Sequence, residues 1–347
     1  MPRLSDESAP EVKLRILMLG DTKTGKTHWA GQAAEAGFNI LYLGGDVELP
    51  TLVKLSPAAK GRLYYMPIHD DMIQIVADVV TGKYLWNDTK AKKFSAKNDG
   101  VDESGAALDE IWELKPTLLG REWILVIDSW STLSYSAMVA KAGDLGVDLA
   151  DIEKVERSIY SGVGNRLTAI LNSLEKANCH IIVIGHGRQM EKTKAPEGGK
   201  QAVKEVREVD RIIEWTKMIP QSSSNPHGLS MGKFFTDIGW LQFNAGNKRK
   251  LSFKPQHDRV SGGHLGTEGD PDTDHSFASL VKYLGGTIPD GTQGTGPGLT
   301  IHPAGTFTPI APGKPAALQA PNSPKAAIPQ GVTTPKGLGG LLLKQSK

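Results

Sequence analysis

Gly20, Gly25, Lys26 and Thr27 follow directly after an apolar run that ends at Leu19, and their spacing is G-x-x-x-x-G-K-T. Glycines in such a segment let the backbone wrap its N–H groups around phosphate oxygens, and the helix expected after it would point its N-terminus at the same anion. The lysine of this pattern binds the β- and γ-phosphates of a nucleotide, and the threonine hydroxyl binds Mg²⁺. The segment therefore predicts a site for ATP and Mg²⁺. Its other candidate nucleotide-binding residues are Asp21, Thr22, Lys23 and Thr24.

Acidic residues after two further apolar runs are candidates for the metal-binding and catalytic carboxylates. Asp128 ends the run WILVID and is the predicted second contact to Mg²⁺, made through water. Because the next residue is Ser129 rather than a glutamate, the base that orients the attacking water must come from elsewhere. Asp46 and Glu48 follow the run NILYLG and are the two candidates, with Asp46 preferred on position. A role as ordinary solvated loop acids stays open for both.

His186 is the candidate sensor of the γ-phosphate. It follows the apolar run HIIVIG and lies between Gly185 and Gly187, at the expected tip of a buried strand. An imidazole in that position can exchange hydrogen bonds with a phosphate oxygen. The alternative is a histidine that is only packed or exposed.

These residues require a fold that brings the ends of several strands together. The candidate strands are short and rich in Ile, Val and Leu, which is typical of strands buried on both faces. Apolar residues recur at intervals of three and four from Ile152 to Leu174, which predicts a helix that Gly162 and Gly164 could kink or split. Strand, helix and strand in alternation predict an α/β fold with a mainly parallel central sheet flanked by helices. The predicted strands are Lys13–Leu19, Asn39–Gly44, Trp123–Asp128, His180–Gly185, Gly239–Phe243 and Arg249–Phe253.

Composition limits the classes of function. The chain has 347 residues and a net charge of +2, so no strong overall field attracts it to nucleic acid or to a membrane. Its single cysteine, Cys179, starts an apolar run, which predicts a small core side chain in a reducing compartment rather than a nucleophile. No apolar run reaches the roughly 18 residues of a membrane span. We therefore expect a cytoplasmic protein with no membrane partner.

Changes in composition also divide the chain. We expect a flexible arm at residues 1–11 and one folded domain at residues 12–285, with a surface insertion at about 87–105. Residues 286–347 are rich in Gly, Pro, Ala and Thr without an apolar period, which predicts a disordered tail. The leucine-rich tip of this tail, GLGGLLLKQSK, is either a frayed end or a docking peptide for a partner.

Taken in order, the motifs resemble those of the RecA-like P-loop ATPases, over roughly Leu14 to Arg259. GDTKTGKT is similar to their phosphate loop, LYLGGDVE to their strand with the catalytic acid, and VIDSWSTLSYSA to their magnesium strand. The segment NRLTAILNSLEKANCHIIVIGHGRQ resembles their helix, strand and sensor. Within this superfamily the chain resembles phage-encoded nucleotide-binding proteins of single-strand annealing and recombination, which would act in the host cytoplasm. Asp46 stands where the family usually has glutamate, which implies slow hydrolysis.

The resemblance also implies an oligomer that binds single-stranded DNA. Its DNA-binding loops would be at about Ser134–Asp148 and Arg188–Lys217. The second is rich in Lys and Arg, which suits a phosphate backbone, but acidic residues dilute this charge, so an ordinary mixed-charge loop stays open. Lys254 and Arg259 are the candidates to reach the nucleotide of a neighbouring subunit. A basic hairpin on the surface is the alternative for these two.

Several functions are compatible with this sequence. The first is an ATPase of phage DNA recombination or replication that acts on single strands. The second is a helicase-type motor, although no added helicase segment is evident. The third is a non-catalytic switch in which ATP binding orders the protein and the tail recruits a recombination or replication partner. A small-molecule kinase is a weaker fourth, because no Arg-rich lid is evident.

Overall fold

The computed structural model describes residues 12–44, 49–67, 72–81, 85–86, 110–146, 157–193, 213–222, 224–291 and 299–303. The chain divides into two units, Met1–Thr308 and Pro309–Lys347, and the second lies wholly outside the described residues. The expected arm and the expected insertion lie outside them as well. Among the helices of the described ranges, none is sufficiently long and apolar to cross a membrane.

The chain alternates strands and helices. The strands are β1 (Arg15–Leu19), β2 (Asn39–Gly44), β3 (Leu63–Pro67), β4 (Leu85–Trp86), β5 (Glu110–Leu114), β6 (Trp123–Asp128), β7 (His180–Ile184), β8 (Gly187–Thr193), β9 (Ile213–Pro220), β10 (Asp237–Phe243), β11 (Arg249–Ser252), β12 (Gly262–Gly263), β13 (Glu268–Gly269) and β14 (Leu299–Pro303). The α-helices are α1 (Lys26–Gln32), α2 (Leu49–Leu52), α3 (Pro57–Lys60), α4 (Met72–Val80), α5 (Trp130–Asp144), α6 (Arg157–Lys176), α7 (Asn225–Ser230) and α8 (Phe277–Tyr283). A 3₁₀ helix spans Met231–Phe234.

The main sheet is mixed and mainly parallel. Its strand order is β13-β11-β10-β1-β7-β6-β2-β3, and β12 also pairs with β10. The strands from β10 to β3 in this order are parallel to their neighbours, whereas β11, β12 and β13 pair antiparallel. The predicted α/β fold with a mainly parallel sheet flanked by helices is therefore confirmed. Parallel alignment brings the carboxyl ends of β1, β7, β6 and β2 to one edge, where ligands of open α/β sheets bind.

Alternate residues of the central strands pack into two apolar clusters. On β1, Leu17 and Leu19 belong to the cluster that includes apolar residues of α4, α5 and α6. Ile16 and Met18 belong to the other cluster, which includes residues of α1 and α8. Because side chains of a strand alternate between its faces, the two clusters cover opposite sides of the sheet. This burial on both faces explains the continuous apolar runs of the central strands.

Two helices differ from expectation. α6 continues through Gly162 and Gly164 to Lys176, so these glycines neither split it nor end it. α5 occupies most of the expected DNA-binding loop at 134–148, so the expectation of a loop is wrong for residues 134–144, while their contact with DNA stays a prediction. The helix forms because Ser129 caps it by accepting a hydrogen bond from the Thr132 amide and because Leu133 packs in the core.

The second expected DNA-binding loop, 188–217, begins and ends as strands. Two residues separate the end of β7 from the start of β8, which pairs antiparallel with β9 to form a separate two-stranded sheet. Residues 194–212 lie outside the described residues.

Part of the expected tail is ordered. β14 pairs antiparallel with β5 and aligns Ile301 with Trp112, while Leu299 is buried. The Arg62 Nη1 donates a hydrogen bond to the Gly291 carbonyl oxygen at 3.3 Å. Residues 286–291 and 299–303 thus differ from the predicted disordered segment. The first are held by contacts such as the Arg62 hydrogen bond to Gly291, and the alternating apolar residues at 299 and 301 suit a strand. Residues 304–347 lie outside the described residues.

Candidate functional site

The GDTKTGKT segment forms the turn between β1 and α1, at the carboxyl end of β1. Gly20 and Gly25 have positive φ angles of 150° and 96°, and a Cβ on Gly20 would lie 2.1 Å from the Leu241 carbonyl oxygen. These backbone conformations favour glycine, and at Gly20 only glycine fits. None of the amides from Thr22 to His28 donates a hydrogen bond to another described residue. These N–H groups are therefore available to a bound acceptor.

Lys26 lies inside the curve of this turn. Its side chain is buried, and its Nζ donates hydrogen bonds to the carbonyl oxygens of Gly20 at 2.9 Å and Asp21 at 2.7 Å. Burial lowers the pKa of this ammonium group, whereas the nearby carboxylates of Asp128 and Asp21 raise it. An anion bound in front of the turn would stabilise the charged form of Lys26 in the same way as these carboxylates.

Asp128, at the end of β6, accepts two hydrogen bonds on one oxygen. Thr27 Oγ1 donates to its Oδ2 at 2.7 Å, and the buried Tyr42 hydroxyl donates to the same oxygen at 2.5 Å. The Asp128 residue is only 4% exposed. Burial raises the pKa of its carboxyl group, and the opposing influences are the hydrogen bonds from Tyr42 and Thr27, followed by the charges of Lys26 and His186. The two residues predicted to bind Mg²⁺, Thr27 and Asp128, are thus in direct contact.

His186 follows β7, which lies between β1 and β6 in the sheet, so it lies between the turn and Asp128. Its backbone N–H donates to Ser131 Oγ at 3.0 Å, which ties it to the first turn of α5. Burial and the charge of Lys26 lower the pKa of the imidazole, while the Gly20 backbone and Asp128 oppose that shift. This lowering favours the neutral ring, which can donate one hydrogen bond and accept another.

These groups line one pocket of about 740 Å³. The volume lies within the range of roughly 300–1,000 Å³ that small-molecule sites occupy. Besides the turn, Asp128 and His186, the wall includes Thr51 in α2, Lys54 just after it, and Arg249 at the start of β11. The pocket therefore combines several cationic side chains with hydroxyl and carboxylate oxygens.

The oxygen atoms of Thr27 and Asp128 are suitable ligands for Mg²⁺. This ion prefers oxygen ligands and is usually held by one or two protein carboxylates together with water and substrate phosphates. Thr27 Oγ1 and Asp128 Oδ2 are both oxygen donors within 2.7 Å of each other, so the residues present fit the ion. Within the described ranges no group of three or more His, Cys, Asp and Glu side chains could hold a metal ion.

Two basic residues that the sequence singled out lie outside the pocket wall. Lys254 Nζ pairs with Glu268 Oε1 at 3.1 Å. Arg259 pairs with Asp258 at 2.8 Å, and its guanidinium lies 5.4 Å from the Trp240 ring centroid. These contacts do not test a role towards a neighbouring subunit, so that assignment stays a prediction.

The candidate catalytic acids Asp46 and Glu48 lie outside the described residues. β2 ends at Gly44, whose register partner on β6 is Asp128. The choice between the two acids therefore stays open.

Sequence reasoning missed three residues of the site. In the sequence, Tyr42 looks like an ordinary residue of an apolar strand. In the sheet, its register partner on β6 is Val126, and Asp128 lies two residues after Val126 on the same face of the sheet. A lone phenol in a buried strand was the available signal, because buried hydroxyls need a partner. Ser131 gave no comparable signal, and Arg249 is only one of several basic residues in the segment that also contains Lys254 and Arg259. The packing of distant segments brings each of the two to the site.

The fold and the pocket together define an α/β protein with a polar, largely cationic cleft at the carboxyl ends of parallel strands. No protein-family model matches this chain, and no curated protein matches it either. The residues of the pocket and the motifs that resemble those of RecA-like ATPases are therefore the guide to its function.

Proposed function

We propose that this chain is a RecA-like P-loop ATPase that binds ATP with Mg²⁺ and hydrolyses it. One observation carries the proposal. Thr27 and Asp128 are 101 residues apart, the sequence predicts each of them as a Mg²⁺ ligand, and their side-chain oxygens are 2.7 Å apart. If the glycine-rich turn matched the motif only by chance, its threonine would have no reason to contact an acid at the end of β6, which lies two strands from β1 in the sheet.

Each residue has a defined task in this proposal. The amides of the turn and the Lys26 ammonium would hold the β- and γ-phosphates. Thr27 would hold Mg²⁺ directly and Asp128 through water, and the bound ion would offset charge that develops on the phosphates. Neutral His186 donates a hydrogen bond to the γ-phosphate, and Asp46 or Glu48 orients the attacking water.

We infer that this activity serves phage DNA recombination or replication, with the protein acting on single-stranded DNA as an oligomer. The support is the order of motifs together with the position of β8. Because Gly187 directly follows His186, a shift of His186 on binding a γ-phosphate would move the first residue of β8. The strands β8 and β9 form the two ends of the segment expected to contact DNA, so they offer a direct path from nucleotide to DNA.

Binding of a fluorescent ATP analogue tests the nucleotide assignment. Lys26→Met should weaken binding by at least about 100-fold, because it removes a buried, charge-assisted contact worth about 3 kcal/mol. Lys60→Met is the matched control: it removes an exposed lysine of α3 outside the pocket wall and should bind as the wild type does. Equal affinity of the Lys26 variant and the wild type would disprove the assignment.

Hydrolysis assays separate the candidate functions. Stimulation of ATP turnover by single-stranded DNA is expected, and Asp46→Asn and Glu48→Gln, tested separately, identify the base. Unwinding of a tailed duplex would instead indicate a helicase-type motor. Tight ATP binding without turnover in any condition would indicate a non-catalytic switch.

A further inference from the structure

Arg249 places its guanidinium directly over the glycine-rich turn of its own chain. It is the first residue of β11, and the antiparallel pairing of β11 with β10 aligns it with Phe243. Because β10 runs parallel to β1, the end of β10 lies beside the turn that follows β1. A Cβ added to Gly25 would lie only 2.6 Å from Arg249 Nη1.

An ion pair leaves part of this guanidinium available. Arg249 Nη2 donates to Asp272 Oδ2, and this is the one hydrogen bond or ion pair of the Arg249 side chain to a described residue. The Arg249 side chain is 28% exposed and lines the pocket. A guanidinium is a planar group with five N–H donors, so Nη1 and Nε remain free to bind a planar or tetrahedral oxyanion.

From this geometry, and resting on the proposed function, we propose that Arg249 binds the polyphosphate chain of the nucleotide held by its own chain. Asp272 anchors one edge of the guanidinium, and the opposite edge contacts phosphate oxygens above Gly25. Lys26 then binds the phosphates from inside the turn and Arg249 binds them from the open side. The two cations offset the negative charge that Asp128 contributes to the same pocket.

Competition experiments with two probes test this contact. ATP and inorganic tripolyphosphate each displace a fluorescent ATP analogue from the wild type and from Arg249→Gln. We expect the substitution to weaken both competitors by the same factor, about 10- to 100-fold, because the lost contact is to phosphate. A loss for ATP without a loss for tripolyphosphate would assign Arg249 to the base or ribose and overturn the proposal.

Two further variants distinguish a direct phosphate contact of Arg249 from a structural effect of its ion pair with Asp272. Lys250→Gln removes the neighbouring cation of β11, which pairs with Glu268 at 3.0 Å outside the pocket wall, and should bind as the wild type does. Asp272→Asn breaks the same ion pair but keeps the Arg249 charge, and should retain affinity within about threefold. If Asp272→Asn lost as much affinity as Arg249→Gln, the ion pair rather than a phosphate contact would be responsible.

The outcomes distinguish this inference from the proposed function. If the wild type binds ATP, Lys26→Met does not, and Arg249→Gln binds normally, only the assignment of Arg249 falls. If the wild type binds neither ATP nor tripolyphosphate, both proposals fall.

Discussion

Tyr42→Phe tests the buried hydrogen bond that holds Asp128. The substitution removes one oxygen and keeps the ring, whose centroid lies 6.0 Å from that of Tyr65. Tyr42 is 0% exposed and Asp128 is 4% exposed, so solvent cannot readily replace the lost donor. A hydrogen bond to a charged group contributes about 1.5–3 kcal/mol, and one between neutral groups about 0.5–1.5 kcal/mol. We therefore expect Tyr42→Phe to lower the free energy of unfolding by about 2 kcal/mol, but by only about 1 kcal/mol when Asp128 is already Asn.

The assay is urea unfolding of the four proteins of this double-mutant cycle at pH 8, without nucleotide or Mg²⁺. The expected coupling energy between Tyr42 and Asp128 is about 1 kcal/mol. Tyr65→Phe is the control, because its hydroxyl donates to the Gly44 carbonyl oxygen at 3.3 Å instead, and it should show no coupling to Asp128→Asn. Equal losses in the two backgrounds would refute a bond between the phenol and a charged carboxylate.

Two further predictions concern the core and the turn. His180 is buried and its Nδ1 accepts a hydrogen bond from the Leu14 amide at 3.1 Å; burial lowers its pKa from 6.5 to about 4. Because the unfolded chain binds the proton more tightly, the stabilisation by neutral His180 is complete above pH 6.5 and is lost as the pH falls towards 4. The free energy of unfolding should fall by about 2 kcal/mol at pH 5. Urea unfolding should show this loss in the wild type and not in His180→Gln. Gly20→Ala should abolish ATP-analogue binding, because its Cβ would lie 2.1 Å from the Leu241 carbonyl oxygen. Gly246→Ala, in an exposed turn, should leave binding unchanged, and normal binding by Gly20→Ala would contradict the described turn.

The central strands were predictable from sequence to within about two residues. β2 and β6 have the predicted bounds, and β7 ends one residue earlier than predicted. Strands buried on both faces need continuous apolar runs, so their pattern is local and strong. By contrast, the family resemblance implies a loop at 134–148, whereas α5 extends to Asp144. The start of this helix depends on a single capping serine, Ser129, whose hydrogen bond the sequence does not reveal.

The small sheet of β4, β5 and β14 was not predicted at all. β14 lies within a segment whose composition favours disorder, and its pairing with β5 joins residues far apart in the chain. Short strands of this kind carry little local signal, because their partners, not their own residues, decide their conformation.

By itself, the sequence determined the glycine-rich turn, its lysine and threonine, and the strands that end beside it. These features are local: a turn with positive φ needs glycine, and a buried strand needs apolar residues. Only the tertiary structure decided that Tyr42 lies beneath Asp128 and that Arg249 lies over Gly25. Such contacts depend on strand register and on the order of strands in the sheet, which many distant residues set together.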